Sequence, residues 1–94
     1  MYATVRRYHG ITDPAEAGRR VAEEFVPLLK EIPGFVAYFW IDAGHGVMAS
    51  VTVYQDRTGE EASTETAATW VRDNAANLFP NPPEITPGEV VAHG

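Results

Sequence analysis

Histidine is the side chain that exchanges a proton most readily near neutral pH, and this 94-residue sequence carries it at positions 9, 45 and 93. No two of these histidines have the i, i+4 helical spacing or the close strand spacing of a metal site, and the chain contains no cysteine. We therefore predict no metal site, no disulfide and no thiolate nucleophile. His9 follows the first predicted strand at the mouth of the sheet, where it is a candidate catalytic base, whereas His45 and His93 are predicted to be solvated.

Trp70 and Asn74 lie four residues apart in a predicted helix, so their side chains share one face. A buried Asn is costly unless it is hydrogen-bonded. The pair predicts the helix wall of a substrate pocket between helix and sheet, with Trp70 stacked on a flat ligand. The alternative is that Trp70 fills the core and its indole N–H donates to a neighbour.

One side of the central hairpin combines aromatic rings with hydroxyls, and the first strand can extend that side. The set comprises Tyr38, Trp40, Ser50, Thr52 and Tyr54 on the hairpin and Tyr2, Thr4, Arg6 and Tyr8 on the first strand. Such a surface is typical of a small-molecule site and equally of a dimer interface. We expect most of the set to lie in a dimer interface. Two members are expected to reach a cavity, Arg6 as a substrate-binding residue and Tyr54 as a catalytic residue. A register shift of one residue would exchange the two faces of the sheet.

Other polar patterns predict no chemistry. The pairs Glu23-Glu24 and Glu60-Glu61 are adjacent in helices, so their carboxylates point apart, and we predict solvated charged faces there. Neither Ser50 nor Ser63 lies in a nucleophile-elbow sequence, which argues against a nucleophilic triad.

Four segments that must position these residues have strand patterns. They are rich in β-branched and aromatic residues and cover residues 2–8, 35–42, 47–55 and 85–93. The second and third are joined by a glycine-containing loop and predict a hairpin. Pro87-Gly88 interrupts the last segment, which predicts a sheet edge or a bulge.

Two segments have helical patterns. The first starts at Pro14 behind the capping residue Asp13 and carries apolar residues at helical spacing as far as Ile32. Pro27 lies inside it and is expected to kink the helix or to end it early. The second helix is predicted over residues 60–78 and is stopped by the prolines that follow.

The predicted order is therefore β-α-β-β-α-β, in a single domain covering residues 1–94. With right-handed crossovers, this order predicts an α+β, ferredoxin-like fold: a four-stranded antiparallel sheet with two helices on one face. Both sides of the second strand are apolar, whereas a solvated sheet face should be polar. Packing that face against a second copy of the chain would bury it, so we predict a homodimer.

Several features resemble the antibiotic-biosynthesis-monooxygenase-like proteins: the Pro33-Gly34-Phe35 entry to the second strand, the long hairpin, the Ala68-Thr69-Trp70-Val71 segment and the short C-terminal strand. The resemblance implies a dimeric α/β barrel, in which two ferredoxin-like sheets pack face to face and the C-terminal strand often reaches the partner. Members of that family include enzymes that oxidise polyketide-type aromatics without metal or flavin, enzymes that degrade haem, and proteins of unassigned role.

Haem-degrading members combine a polar amide on the first strand, a tryptophan in the second helix and a histidine shortly after it. Trp70 matches the tryptophan, but the first strand has no Asn and residues 71–81 contain no His. Because the axial imidazole is missing, we expect no haem. The resemblance to enzymes that need neither metal nor flavin implies no other cofactor.

Two classes of function follow. The first is a small cofactor-independent monooxygenase-like enzyme acting on a small hydrophobic or aromatic metabolite, with Trp70, Asn74 and Arg6 binding the substrate and His9 or Tyr54 assisting proton removal. The alternative is a non-catalytic small-molecule-binding or accessory protein, because no unambiguous catalytic constellation is present. Whether the chain is an enzyme stays open at this point.

Composition narrows the partners and the location. Thirteen acidic against seven basic residues give a net charge of −6 without a basic patch, which argues against nucleic-acid binding. No apolar run approaches the roughly 20 residues that span a bilayer. The opening residues MYATVRRYHG contain no apolar region after the two arginines, so we expect a cytoplasmic protein.

Overall fold

The computed structural model describes residues 1–94 and confirms the ferredoxin-like order of elements. The strands are β1 (Tyr2–Tyr8), β2 (Phe35–Gly44), β3 (Val47–Tyr54) and β4 (Glu84–Glu89). They form one antiparallel sheet in the order β2-β3-β1-β4, and two helices cover one of its faces. Neither helix is long and apolar enough to cross a membrane.

The first helix is continuous through residues 14–31 and has a wide turn at its centre. It consists of an α-helical segment Pro14–Arg20, a π-helical turn Val21–Phe25 and a second α-helical segment Val26–Glu31. The wide turn directly precedes Pro27, which lacks an N–H and whose ring would collide with the preceding turn of a regular α-helix. The disturbance expected at Pro27 is therefore absorbed within the helix instead of ending it.

The second helix consists of an α-helical segment Arg57–Trp70 and a π-helical turn Val71–Ala75. It begins about one turn earlier than predicted because Asp56 caps it: the Asp56 carboxylate accepts the backbone N–H of Gly59 at 3.0 Å. It also ends earlier, and the residues before β4 form a proline-rich loop.

Strand pairing settles which sheet face meets the helices. Thr52 of β3 lies opposite Thr4 of β1 and Tyr38 of β2. The β1 and β3 side chains of this face are buried beneath the helices, namely Thr4, Arg6, Tyr8, Met48, Ser50, Thr52 and Tyr54. The expectation that most of this aromatic and hydroxyl-bearing set lies in a dimer interface is wrong, because the helices of the same chain cover it.

A β-bulge in β2 changes the alternation that the sequence predicts. Phe35 pairs with Tyr54 and Ala37 pairs with Val53, so Val36 is the extra residue between them. Phe35 therefore lies on the helix side, where its ring centroid is 5.8 Å from that of Tyr54.

The opposite side of the sheet is mainly apolar and is uncovered, with the exposed Arg7 of β1 beside its apolar residues. Its exposed members include Val5, Phe39 and Ile41, with 41%, 60% and 46% of their surface accessible. We call this surface the open sheet face and define it as Val5, Ala37, Phe39, Ile41, Ala49, Val51 and Val53.

Candidate functional site

A cavity of about 250 Å³ lies between the second helix, β1, β4 and the proline-rich loop. We call it the Arg6 cavity. The apolar part of its lining consists of Ala67, Ala68, Val71, Phe79, Pro80, Pro82, Pro83 and Ile85 together with the ring of Tyr8, and its polar part consists of Arg6, Thr64, Arg72 and Asn81.

Local sequence explains why space exists here. Strand alternation brings Thr4, Arg6 and Tyr8 to the helix side of β1. The second helix faces them with the short side chains of Thr64 and Ala67, which leave room that larger residues would fill. The prolines after the helix stop it, and the chain then turns across the end of the cavity.

A buried hydrogen-bond chain forms the polar end of the cavity. The guanidinium of Arg6, only 3% exposed, donates from Nη2 to the Thr64 hydroxyl at 2.6 Å and from Nη1 to the Thr52 hydroxyl at 3.4 Å. The Thr64 hydroxyl donates in turn to Glu60 Oε1 at 2.8 Å. Thr4 donates to the same carboxylate oxygen, and Glu60 is 4% exposed. A buried cation and a buried carboxylate are thus linked through one hydroxyl, which we call the Arg6–Thr64–Glu60 chain.

Tyr8 supplies a phenol to the same cavity. Burial raises the pKa of the Tyr8 hydroxyl above its ordinary value, and the charge of Arg6 offsets part of that rise. The phenol is therefore protonated at neutral pH. It can donate a hydrogen bond to a ligand, but it is a poor acceptor for a proton.

His9 lies beside the cavity and does not line it. Its Nε2 is 3.0 Å from Glu84 Oε1, and both side chains are exposed. The backbone carbonyl of His9 accepts the Asn81 side-chain N–H at 3.2 Å. The structure thus places the His9 imidazole at the edge of the sheet, and its main chain anchors the loop that closes the cavity.

Tyr54 lies in the core and does not line the Arg6 cavity. Its hydroxyl donates to the backbone carbonyl of Leu29 at 2.6 Å, which ties β3 to the first helix. The side chain is fully buried, and burial raises the pKa of Tyr54 to about 12. This environment fits a structural hydrogen bond, and it gives Tyr54 no access to the cavity where we expected it to act.

Trp70 packs in the core between the helices and the sheet. It is 5% exposed, and its ring centroid lies 5.2 Å from that of Phe25 and 6.1 Å from that of Phe79. Its buried indole N–H makes no hydrogen bond of normal geometry, although it is near enough to the Glu24 carboxylate to help lower the pKa of that group. The packing of Trp70 therefore fits the alternative prediction, that of a core side chain.

Asn74 is exposed, contrary to the expectation that it shares a buried face with Trp70. Its side-chain amide donates to the backbone carbonyl of Trp70 at 3.4 Å, and its backbone carbonyl accepts from the guanidinium of Arg20 at 2.6 Å. The π-helical turn that follows Trp70 changes the angle per residue and rotates Asn74 away from the core. The two residues line an open groove of about 410 Å³ beside Leu28, on the outer side of the helices.

Glu60, Thr64 and Tyr8 belong to the site but are not among the site residues predicted from the sequence. The adjacent pair Glu60-Glu61 was predicted to be solvated because its carboxylates point apart, and only Glu61 is exposed. Asp56, a strong capping residue, was the signal that the helix begins at Arg57, which turns Glu60 and Thr64 toward β1. The structure holds no group of three or more His, Cys, Asp or Glu side chains that could bind a metal ion.

Comparisons with known proteins give matches among solved structures alone. No protein-family model matches the chain, and no curated protein matches it. A protein of unknown function from Nitrosomonas europaea is 24% identical with a TM-score of 0.78, over 99% of this chain and 91% of that chain.

Two oxygenases from Streptomyces have the same fold. SnoaB of Streptomyces nogalater, a cofactor-independent oxygenase, is 15% identical with a TM-score of 0.73, over 98% of this chain and 94% of that chain. A monooxygenase of Streptomyces coelicolor from the gene ActVA-Orf6, in complex with Nanaomycin D, is 12% identical with a TM-score of 0.72, over 98% and 92%. Other matching structures are named antibiotic biosynthesis monooxygenases. The chain therefore has the ferredoxin-like fold of the antibiotic biosynthesis monooxygenase structures.

Proposed function

We propose that this protein is a small oxygenase that uses no cofactor and oxidises a small phenolic metabolite in the Arg6 cavity. The observation that carries the proposal is a buried guanidinium at the end of an otherwise largely apolar cavity. Apolar walls hold an aromatic ring, and a fixed cation in a low-dielectric site stabilises negative charge far better than water does. The fold shared with a cofactor-independent oxygenase supports the same class of reaction.

The reaction needs few protein groups. A phenol that loses its proton to solvent water, since no wall residue accepts it, becomes an electron-rich anion, which Arg6 stabilises and which reduces O₂ directly. One oxygen atom enters the ring as a carbonyl, and the other leaves as water together with the phenolic hydrogen and the hydrogen of the oxidised ring carbon. All the electrons come from the substrate. Tyr8, protonated at neutral pH, is placed to donate a hydrogen bond to the reduced oxygen.

The test is oxygen consumption with 1-naphthol, whose oxidation by one O₂ yields 1,4-naphthoquinone and water. We expect uptake above that of a heat-inactivated sample and one ¹⁸O atom in the quinone when ¹⁸O₂ is supplied. Arg6→Gln should lower the rate by about 100-fold, the usual effect of losing a charge-stabilising donor. Arg19→Gln, on the exposed side of the first helix, should leave it unchanged. Uptake equal to that of the inactivated sample would refute the proposal.

A second candidate is a non-catalytic binding protein, and one feature of the cavity favours it. No imidazole or carboxylate lines the cavity, and the Tyr8 phenol has a raised pKa, so the walls offer no proton acceptor at neutral pH. Saturable binding of 1-naphthol without oxygen uptake would favour this candidate.

The open sheet face supports a homodimer. Seven apolar residues on one uncovered sheet face are unusual for a monomer in water, and a second copy offers the same surface in return. In the proposed dimer the two open sheet faces pack together, and each Arg6 cavity lies on the far side of its own sheet.

A further inference from the structure

The Arg6 cavity has a charge opposite to that of the chain as a whole. The protein carries 13 acidic and seven basic residues, yet the 13 residues that line the cavity include two arginines and no Asp or Glu. Arg72 lies at the exposed rim, where its Nε donates to Asp73 at 3.0 Å. Arg6 lies at the buried end without an ion pair.

The hydrogen bonds of Arg6 leave it able to bind more. A guanidinium has five N–H donors, and Arg6 donates to the hydroxyls of Thr52 and Thr64. Because the Thr64 proton is donated to Glu60, the oxygen of Thr64 presents a lone pair to Arg6. Glu60 thus fixes the guanidinium through Thr64 without contacting it, and the remaining donors have no acceptor within the chain.

A neighbouring cavity provides an internal contrast. It measures about 240 Å³ and shares Thr64 and Ile85 with the Arg6 cavity. Two carboxylates, Glu60 and Glu61, line it against one guanidinium, that of Arg57, which is paired with Glu61 at 2.9 Å. An anion would be repelled there and attracted beside Arg6. Of these two adjacent cavities, only the Arg6 cavity has the charge to select an anion.

The volume of the Arg6 cavity sets the size of its ligand. At about 250 Å³ it falls just below the roughly 300–1,000 Å³ of pockets that hold drug-sized molecules. The rings of Tyr8 and Phe79, with centroids 5.1 Å apart, pack against each other in the wall and favour a flat ligand.

We propose that the Arg6 cavity selects an aromatic anion of one or two rings, whose carboxylate or phenolate oxygen binds the buried guanidinium of Arg6. This inference rests on the proposed function in placing the ligand in the same cavity, and it deepens that function by naming the charge and size of the substrate. The rings lie against the apolar walls, and the anionic oxygen accepts the donors of Arg6 that the protein leaves without partners.

Binding of matched probes to the unmodified protein tests the charge. By calorimetry at neutral pH, we expect 2-naphthoate to bind about tenfold or more tightly than the neutral 2-naphthamide, as expected for a hydrogen bond to a charged group. A second pair tests phenolates: 2,4-dinitrophenol, ionised at neutral pH, should bind more tightly than its methyl ether 2,4-dinitroanisole. If only one pair shows tighter binding of the anionic probe, the ligand of the cavity is narrowed to carboxylates or to phenolates accordingly. Equal or reversed affinities in both pairs, or no binding of any probe, would overturn the proposal.

Variants assign the preference to Arg6. Arg6→Gln should reduce the preference for 2-naphthoate to near unity, Arg6→Lys should retain part of it, and Arg19→Gln should leave it intact. Thermal melts of each variant show whether it is folded, and the comparison of probes on the unmodified protein stands even if Arg6→Gln is not. A tricyclic acid, 2-anthroate, should bind more weakly than 2-naphthoate, and tighter binding would refute the size limit.

These results separate the inference from the proposed function. Charge-selective binding without oxygen uptake would uphold the inference and remove the oxygenase activity. Oxygen uptake from 1-naphthol with no preference for anionic probes would do the reverse.

Discussion

Glu60 and Glu61 are adjacent carboxylates in opposite environments. Glu60 is buried and accepts from Thr4 and Thr64, whereas Glu61 is exposed and pairs with Arg57 at 2.9 Å. Glu60→Ala removes the acceptor of two buried hydroxyls. It also removes the carboxylate at the other end of the Arg6–Thr64–Glu60 chain. We expect it to lower the free energy of unfolding by about 2–4 kcal/mol.

The matched control is Glu61→Ala, which should change the free energy of unfolding by less than about 0.5 kcal/mol. Glu60→Gln keeps an acceptor and should fall between the two. Urea denaturation of the three variants measures these differences. Equal losses in the free energy of unfolding for Glu60→Ala and Glu61→Ala would show that the Arg6–Thr64–Glu60 chain does not stabilise the fold.

Tyr54 makes stability depend on pH in the alkaline range. Its pKa is raised from 10.0 to about 12 by burial, so the folded state retains the phenolic proton after the unfolded chain has lost it. Its contribution is fully present below pH 10 and is lost as the pH rises toward 12. Tyr8 and Tyr38 shift in the same direction for the same reason.

Urea denaturation at about pH 8 and about pH 11 should therefore show lower stability at the higher pH. Tyr54→Phe lacks the titrating group and should show a smaller alkaline loss. It should also be less stable at pH 8 by about 1 kcal/mol, because the Leu29 carbonyl loses its donor. An alkaline loss unchanged by Tyr54→Phe would assign the titration to other groups.

Residue types alone did not separate buried from exposed polar groups. Glu60 and Glu61 are identical in type and adjacent, and both were predicted to be solvated, yet the second helix turns Glu60 toward the sheet and Glu61 toward solvent. Arg6 and Tyr54 were assigned to a cavity from the same alternation, yet the structure places Arg6 at a cavity and Tyr54 in the core. Cavities arise where helix side chains are short, and that depends on how the second helix is rotated against the sheet.

Replacing glycine by alanine should change the stability of the fold in opposite directions at two positions, one in each helix. A methyl group at Gly18 would lie 3.8 Å from Trp40 Cδ1, which is an ordinary contact. A methyl group at Gly59 would lie 2.6 Å from Tyr54 Cδ1 and 3.0 Å from the Pro33 carbonyl oxygen, so the second helix would have to move.

Gly18→Ala should stabilise the fold by about 0.5–1 kcal/mol, because alanine favours the helix and meets no obstacle. Gly59→Ala should destabilise it by about 1–3 kcal/mol, because overpacking outweighs the gain in helix propensity. Thermal and urea denaturation measure both. Stabilisation by both substitutions would mean that the second helix lies farther from β3 than the structure shows.

The order of the elements was predictable because turn residues and periodicity separate them clearly. Asp13-Pro14, Pro33-Gly34 and the prolines after the second helix mark boundaries, and the predicted β-α-β-β-α-β order is confirmed. The bulge at Val36 and the two π-helical turns were not predicted. Each inserts a residue into a regular pattern. Pro27 marks the site of the first π-helical turn without specifying its form, and no proline or glycine lies within the second π-helical turn or the bulge.

At the scale of the molecule, the open sheet face predicts self-association. Phe39→Lys places a charge where the proposed dimer buries an aromatic ring, so it should shift the sedimenting species from twice 10.3 kDa toward 10.3 kDa. Leu28→Lys changes an exposed apolar residue of the first helix and should leave the dimer intact. A monomer of the unmodified protein at high micromolar concentration would refute the dimer.

The sequence showed that both sides of the sheet are apolar but not which side the helices cover. The side whose tyrosines and hydroxyls predict a site is buried within the chain, whereas the side that carries Val5, Phe39 and Ile41 is uncovered. Polar groups on the buried side of the sheet are accommodated because they hydrogen-bond to polar groups of the second helix, as Arg6 does to Thr64, which in turn donates to Glu60. Such networks need a partner from a distant segment, which periodicity does not reveal.

The positive charge of the Arg6 cavity within a protein of negative net charge affects the rate at which an anionic ligand binds. An anionic ligand that approaches a chain of net charge −6 is repelled until it enters the cavity, and salt screens that repulsion beyond about 10 Å at 0.1 M ionic strength. Attraction to Arg6 acts at short range in a buried site, where salt screens little. Raising the ionic strength should therefore speed ligand association and leave dissociation almost unchanged, so that added salt tightens the binding of an anion.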